Sequence, residues 1–125
     1  MFSVNLDSCE SDGHVVVALR GELDLLDAAD VTAALGALAA LEPRIIVDLS
    51  GLEFIDASGV AALMHARRQA RDAGGYLLLA APQRRVQRVL AIIWDAYVHA
   101  SVAEAASAGA ARLEFAIWRK PAKRR

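Results

Sequence analysis

The residues able to do chemistry are concentrated in one short run, Asp48-Leu49-Ser50-Gly51-Leu52-Glu53-Phe54-Ile55-Asp56-Ala57-Ser58-Gly59-Val60. It places a serine hydroxyl two residues after a carboxylate, where an apolar strand gives way to a helix. A helix N-terminus offers unpaired N–H groups and the positive end of the dipole, so a serine there is exposed and suited to carry an anion. The same residues have a plainer use, because either Ser58 or Asp56 can cap the helix. Elsewhere the reactive types are dispersed. His14, His65 and His99 fall on a strand, a helix surface and a strand end, and no His-x-x-x-His, cysteine pair or acidic triplet has metal-ligand spacing. Phosphate-cradling glycine loops and the Gly-x-Ser-x-Gly elbow are absent. Cys9 is the single cysteine, which excludes an internal disulfide and a cysteine-based zinc site. These features argue against an enzyme, a metal site or a cofactor.

The elements that must position this run follow from periodicity. Phe2 to Ser8 alternates with a period of two and reads as a half-buried strand. Ser11-Asp12-Gly13 is a hairpin turn, and His14 to Arg20 is the antiparallel return strand. Asp27 is a candidate cap for a helix with Val31, Leu35 and Leu38 inward, stopped by Glu42-Pro43. Arg44 to Leu49 carries Ile45-Ile46-Val47, an unbroken β-branched run that fits a parallel central strand buried on both faces. The strand then ends and a short loop follows, up to the helix start. Ser58 to Ala73 is helical, with Val60, Leu63 and Met64 inward and Arg67, Arg68 and Arg71 outward, and Gly74-Gly75 ends it. Tyr76 to Ala80 is another buried strand. Pro82 opens a helix with Val86, Val89, Leu90 and Ile93 inward and Arg84, Arg85 and Arg88 outward. Tyr97-Val98 is a short strand, and Ser101-Val102-Ala103-Glu104 is a capping box opening a last helix. The order β-β-α-β-α-β-α-β-α predicts one α/β domain, with helices on a mixed, mostly parallel sheet of four to five strands.

Composition agrees with a single domain. The chain has 125 residues, 56% hydrophobic and 23% charged, enough to bury a core and unlike a disordered segment. No apolar run approaches the roughly 20 residues of a membrane helix, and Met1 to Glu10 does not read as a signal peptide, so a cytoplasmic protein is expected. The net charge of −1 hides an asymmetry. Residues 1–60 set two arginines against eleven carboxylates, a balance of −9, whereas residues 61–125 balance at +8. Such a dipolar chain suits docking to a protein partner better than direct DNA binding.

The run Asp48 to Gly59, centred on Phe54-Ile55-Asp56-Ala57-Ser58-Gly59, resembles the signature of STAS domains, named for sulfate transporters and anti-sigma factor antagonists. Gly21-Glu22-Leu23-Asp24 after the second strand matches a second marker of that family. The resemblance spans about residues 2–113 and is nearest to the stand-alone bacterial anti-sigma factor antagonists. It implies that Ser58 is a phosphorylation site. It also implies that Asp24, Asp56, Ala57, Ser58 and Gly59 meet a partner, an anti-sigma factor that is also a serine kinase of the histidine-kinase-like ATPase type. The unphosphorylated chain would bind this partner and free a sigma factor; phosphorylation would release it, and a phosphatase would reset the switch. Asp24 has the alternative of merely starting the turn into the first helix. A second expectation within the family is a scaffold subunit of a membrane transport or signalling complex, with no phosphorylation switch and no membrane insertion of its own. The chain is expected to be a monomer or a weak homodimer.

Two stretches depart from the family pattern. Ile93-Trp94-Asp95-Ala96-Tyr97 stands where many antagonists have a small residue and Gly-Leu, and Trp94 either fills a core gap or is an exposed anchor. Residues 114–125 form a tail beyond the domain of residues 1–113, apolar through Phe115, Ile117 and Trp118 and then basic. Its basic end reads as a solvated terminus or as a contact for an acidic partner.

Overall fold

The computed structural model describes residues 4–11, 13–42, 44–92 and 98–108, and only the backbone of residues 4–11 and 98. Strand β1 (Val4–Ser11) and strand β2 (His14–Leu23) form the expected antiparallel hairpin, closed at the pair Ser11–His14. Gly13 takes φ +78°, the left-handed conformation an Asp-Gly hairpin loop requires. Helix α1 (Leu25–Leu41) leads to strand β3 (Arg44–Ile55), helix α2 (Ala57–Asp72), strand β4 (Tyr76–Ala80), helix α3 (Arg84–Leu90) and strand β5 (Val98–His99). A further helix, α4, covers 102–108. Ser101 caps it, its Oγ accepting from Glu104 N–H at 3.0 Å, while the Glu104 carboxylate reaches one residue further back than in a capping box and accepts from Ala100 N–H at 2.8 Å.

The five strands lie in the order β1-β2-β3-β4-β5, antiparallel at the first pair and parallel at the other three. The β-branched run Ile45-Ile46-Val47 is fully buried at the centre of this sheet, as its composition predicts. Its alternate side chains serve two cores. Ile45 and Val47 join Val17, Leu19, Leu77 and Leu79 beneath Val31 and Leu35 of α1, Val60 and Leu63 of α2 and Val86 and Leu90 of α3. Ile46 faces the other way with Val16, Tyr76 and Leu78, covered by Ala105 and Ala106 of α4. Each such aliphatic side chain contributes about 1.5–3 kcal/mol on burial, so truncating Leu35 to alanine would cost about 2–5 kcal/mol.

Several boundaries differ from expectation. The segment after Leu49 is not a loop: β3 continues to Ile55 against an equally extended β2, pairing Gly21 with Leu52 and Leu23 with Ile55. Register shifts between Ala18 and Arg20 and between Gly21 and Glu22 let Leu49, Leu52 and Ile55 all point inward at a spacing of three, which breaks the period of two and hides the strand. Gly21-Glu22-Leu23 therefore ends β2 rather than following it. Asp27 does not cap α1. The helix starts straight after the extended β2, so Asp24 is the cap, and Asp27 joins the buried stripe with Val31, Leu35 and Ala39, leaving Leu38 partly buried. Helix α3 begins at Arg84, after Gln83 rather than at Pro82. The expectations for Phe2, Asp12, Pro43, residues 93–97 with Trp94, and residues 114–125 lie outside the described residues, as does the boundary at residue 113.

Candidate functional site

Because β2 and β3 overrun β4 at their carboxyl ends, the residues following them project together beyond the sheet, where α/β folds collect their sites. Asp56 is the single residue between β3 and α2. Its extended backbone (φ −113°, ψ −174°) turns its carboxylate onto the helix start, where Oδ1 accepts from Gly59 N–H at 3.0 Å. This settles which residue caps α2: Asp56 does, and Ser58 does not. The Ser58 hydroxyl instead donates to the same Oδ1 at 2.6 Å. Ser58 is half-buried between exposed Ala57 and buried Gly59.

The start of α1 repeats the device. Asp24, also extended, accepts from Leu26 N–H at 3.0 Å through its carboxylate, so its turn-forming role is real. The two helix starts are joined: Asp56 N–H donates to the Leu23 carbonyl at 3.3 Å. Gly59 is packed so tightly there that an added Cβ would stand 2.7 Å from the Leu23 carbonyl oxygen and 2.7 Å from Ile55 Cγ1. The structure thus brings Asp24, Asp56, Ala57, Ser58 and Gly59 to one end of the sheet.

Carboxylates cluster in the sequence around the two helix starts. No lysine or arginine occurs between Arg20 and Arg44 or between Arg44 and Arg67, whereas Glu22, Asp24, Asp30, Asp48, Glu53 and Asp56 fall in those intervals. The Asp56 carboxyl is held below the usual carboxylate range, first by the Ser58 hydroxyl, then by the Gly59 N–H, with smaller help from the N–H groups of Ser58 and Leu25 and against a small opposing effect of burial. Asp56 is therefore an anion at neutral pH, and the first turn of α2 is already occupied by negative charge. The arrangement presents a hydroxyl, held by a carboxylate, at a helix start.

Two residues of this end escape sequence reasoning. Leu25 and Leu26, in the first turn of α1, are 74% and 82% exposed. With the cap assigned to Asp27 they fall before the helix; their signal is that neither fits the inward phase of Val31 and Leu35. The histidines are dispersed: His14 is buried at the start of β2 and bonded to the Tyr76 hydroxyl at 2.6 Å, His65 is exposed on α2, and His99 ends β5.

A family model described as "Mlab, STAS domain" matches residues 8–93. Among solved structures, an anti-sigma factor antagonist from Mycobacterium paratuberculosis is 22% identical with a TM-score of 0.69, over 86% of this chain and 95% of that one. The phosphorylated form of the Bacillus cell fate determinant SpoIIAA is 24% identical with a TM-score of 0.63, over 84% and 97%. A sulfate transporter family protein from Wolinella succinogenes is 18% identical with a TM-score of 0.67, over 82% and 88%. At these identities the likeness is one of fold. No curated protein matches the chain in sequence.

Proposed function

The chain belongs to the STAS domain family, and from that premise we propose that it is an anti-sigma factor antagonist switched by phosphorylation of Ser58. The observation that carries this reading is the Ser58 hydroxyl, held by Asp56 at 2.6 Å on the first turn of α2 and not used as the cap. The partner is an anti-sigma factor that is also a serine kinase of the histidine-kinase-like ATPase type. It transfers the γ-phosphoryl group of ATP to Ser58: the Oγ–P bond forms, the bond from that phosphorus to the ADP oxygen breaks, and the hydroxyl proton leaves to solvent. A phosphatase reverses the modification. In this reading the chain is a substrate and a ligand, not an enzyme, and it acts in the cytoplasm. Among the described residues no helix is long and apolar enough to cross a membrane.

The switch needs no refolding. A phosphate adds about −1.5 to −2 charges near neutral pH. The dipole of α2 favours it by about 0.3–1 kcal/mol, but Asp56 and the carboxylates around it repel it. A docking face that is acidic and exposed becomes over-charged and bulky, and each 1.4 kcal/mol lost at the interface weakens binding about tenfold.

A scaffold role in a membrane transport or signalling complex is the second reading, favoured by the fold likeness to the sulfate transporter family protein. One experiment separates them. The native chain, Ser58→Ala and Ser58→Glu are used as baits in source-cell lysate, with retained proteins identified by mass spectrometry. The antagonist reading expects native and Ser58→Ala to retain an ATPase-type kinase that Ser58→Glu loses. Retention of the same transporter or scaffold proteins by all three baits establishes the second reading instead.

A further inference from the structure

Leu25 and Leu26 give the core nothing, because the inward stripe of α1 runs through Asp27, Val31, Leu35 and Ala39. Two adjacent leucines left 74% and 82% exposed are apolar surface at the mouth of an acidic site. They directly follow Asp24, whose carboxylate holds Leu26 N–H at 3.0 Å. Asp56 is also tied to this turn by its backbone, through the bond from its N–H to the Leu23 carbonyl at 3.3 Å. Gly59, whose N–H that carboxylate caps, is wedged against the same Leu23 carbonyl. Ser58 and the leucine pair therefore share one intermediary.

Resting on the antagonist reading above, we propose that Leu25 and Leu26 are the apolar anchor of the docking surface, and that Asp56 ties the seat of this anchor to the state of Ser58. The occupant is a protein with an apolar cleft edged by arginine or lysine. The cleft takes the leucines, and the cations match the carboxylates Glu22, Asp24, Glu53 and Asp56 at the ends of β2 and β3. Phosphorylation removes the hydroxyl proton that Ser58 donates to Asp56 and sets a phosphate beside that carboxylate. The two anions separate, Asp56 gives up its hold on the α2 start and its backbone bond to the Leu23 carbonyl is disturbed, and the leucine pair that follows Leu23 moves with it. The modification so disables the apolar part of the surface as well as its charge.

The test uses the full chain with phosphoserine encoded at position 58, so that no kinase is required. Backbone amide resonances are compared with and without the phosphate, in the native chain and in Asp56→Asn. The expected result is displacement of Leu25 and Leu26 well beyond that of Ala33, farther along α1, and a smaller displacement in Asp56→Asn. Leu25 and Leu26 resonances unmoved by the phosphate would overturn the tie. Docking is tested with Leu25→Ser/Leu26→Ser, and with Leu26→Ser alone should the double variant unfold. Affinity for the kinase captured by the native bait should fall about tenfold or more, the loss typical of a buried anchor, with the melting temperature unchanged. Undiminished affinity would overturn the anchor. A native bait that captures no partner lost by Ser58→Glu would sink the antagonist reading, while the resonances would still decide the tie.

Discussion

Gly59 stands against the backbone of Leu23 so closely that any side chain would collide: a Cβ would lie 2.7 Å from the Leu23 carbonyl oxygen and 2.9 Å from Leu23 Cγ. The first of these atoms belongs to the end of β2 and cannot turn aside. Gly59→Ala should therefore destabilise the domain by about 1–3 kcal/mol, as overpacking does, despite alanine's better helix propensity. At this chain length the melting temperature should fall by several degrees. Gly36→Ala is the internal comparison, since the atom a Cβ would meet there at 2.8 Å is the end of the Gln69 side chain, which can move. Thermal unfolding should show the larger loss at Gly59; equal losses would contradict the rigid wedge.

The wedge also marks how far the fold was legible. Ile45-Ile46-Val47 announces a strand buried on both faces, and the hairpin turn announces an antiparallel start, because each signal is local. The extension of β3 to Ile55 was not legible, because a register shift against β2 puts Leu49, Leu52 and Ile55 on one face. Position, more than residue type, was the weak point at the site. Ser58 and Asp56 were both reasonable caps, and only the extended Asp56 backbone with its bond to Gly59 N–H chooses between them. At α1 periodicity favours Asp27, which is buried, over Asp24, because it ends β2 three residues short of Leu23. That same shortfall hid Leu25 and Leu26 as surface residues of a helix.

His14 and Tyr76 pin the far side of the sheet. Both are buried, on β2 and β4, and the Tyr76 hydroxyl lies 2.6 Å from His14 Nε2. Tyr76→Phe leaves that ring nitrogen without this partner in a site closed to water, at a cost of about 1–3 kcal/mol. Urea unfolding should show the loss. The lysate bait carrying Tyr76→Phe should retain the same proteins as the native chain, because the pair sits at the opposite ends of β2 and β4 from the helix starts that hold Ser58 and Asp24.

Between α1 and α2 the polar fit is incomplete. Gln69 Oε1 is buried without a hydrogen-bond partner among the described residues, close to Gly36. A buried carbonyl oxygen left unpaired carries a desolvation cost that a side chain of similar length without it avoids. Gln69→Met should thus raise stability by about 1 kcal/mol in urea unfolding. A fall of that size would show that the amide is satisfied in solution.

Acid should act on the site through Asp56. Its carboxyl is held below the ordinary range, chiefly by the Ser58 hydroxyl and the Gly59 N–H. The folded state therefore prefers the ionised form more than the unfolded chain does. By linkage, this stabilisation is fully present above the unfolded carboxyl value, 3.8, and is lost as pH falls through the lower folded value. Asp56→Asn keeps an oxygen able to cap α2 but carries no charge to titrate. The stability gap between native and Asp56→Asn, from urea unfolding at a series of pH values, should accordingly be widest near neutrality and close below the ordinary carboxylate range. Ser58→Ala removes the largest of the interactions that lower the Asp56 value, so it should shift the closing of that gap to higher pH. A gap that stays constant with pH would mean that the charge on Asp56 does not support the fold, and that its role at the α2 start is that of a neutral cap.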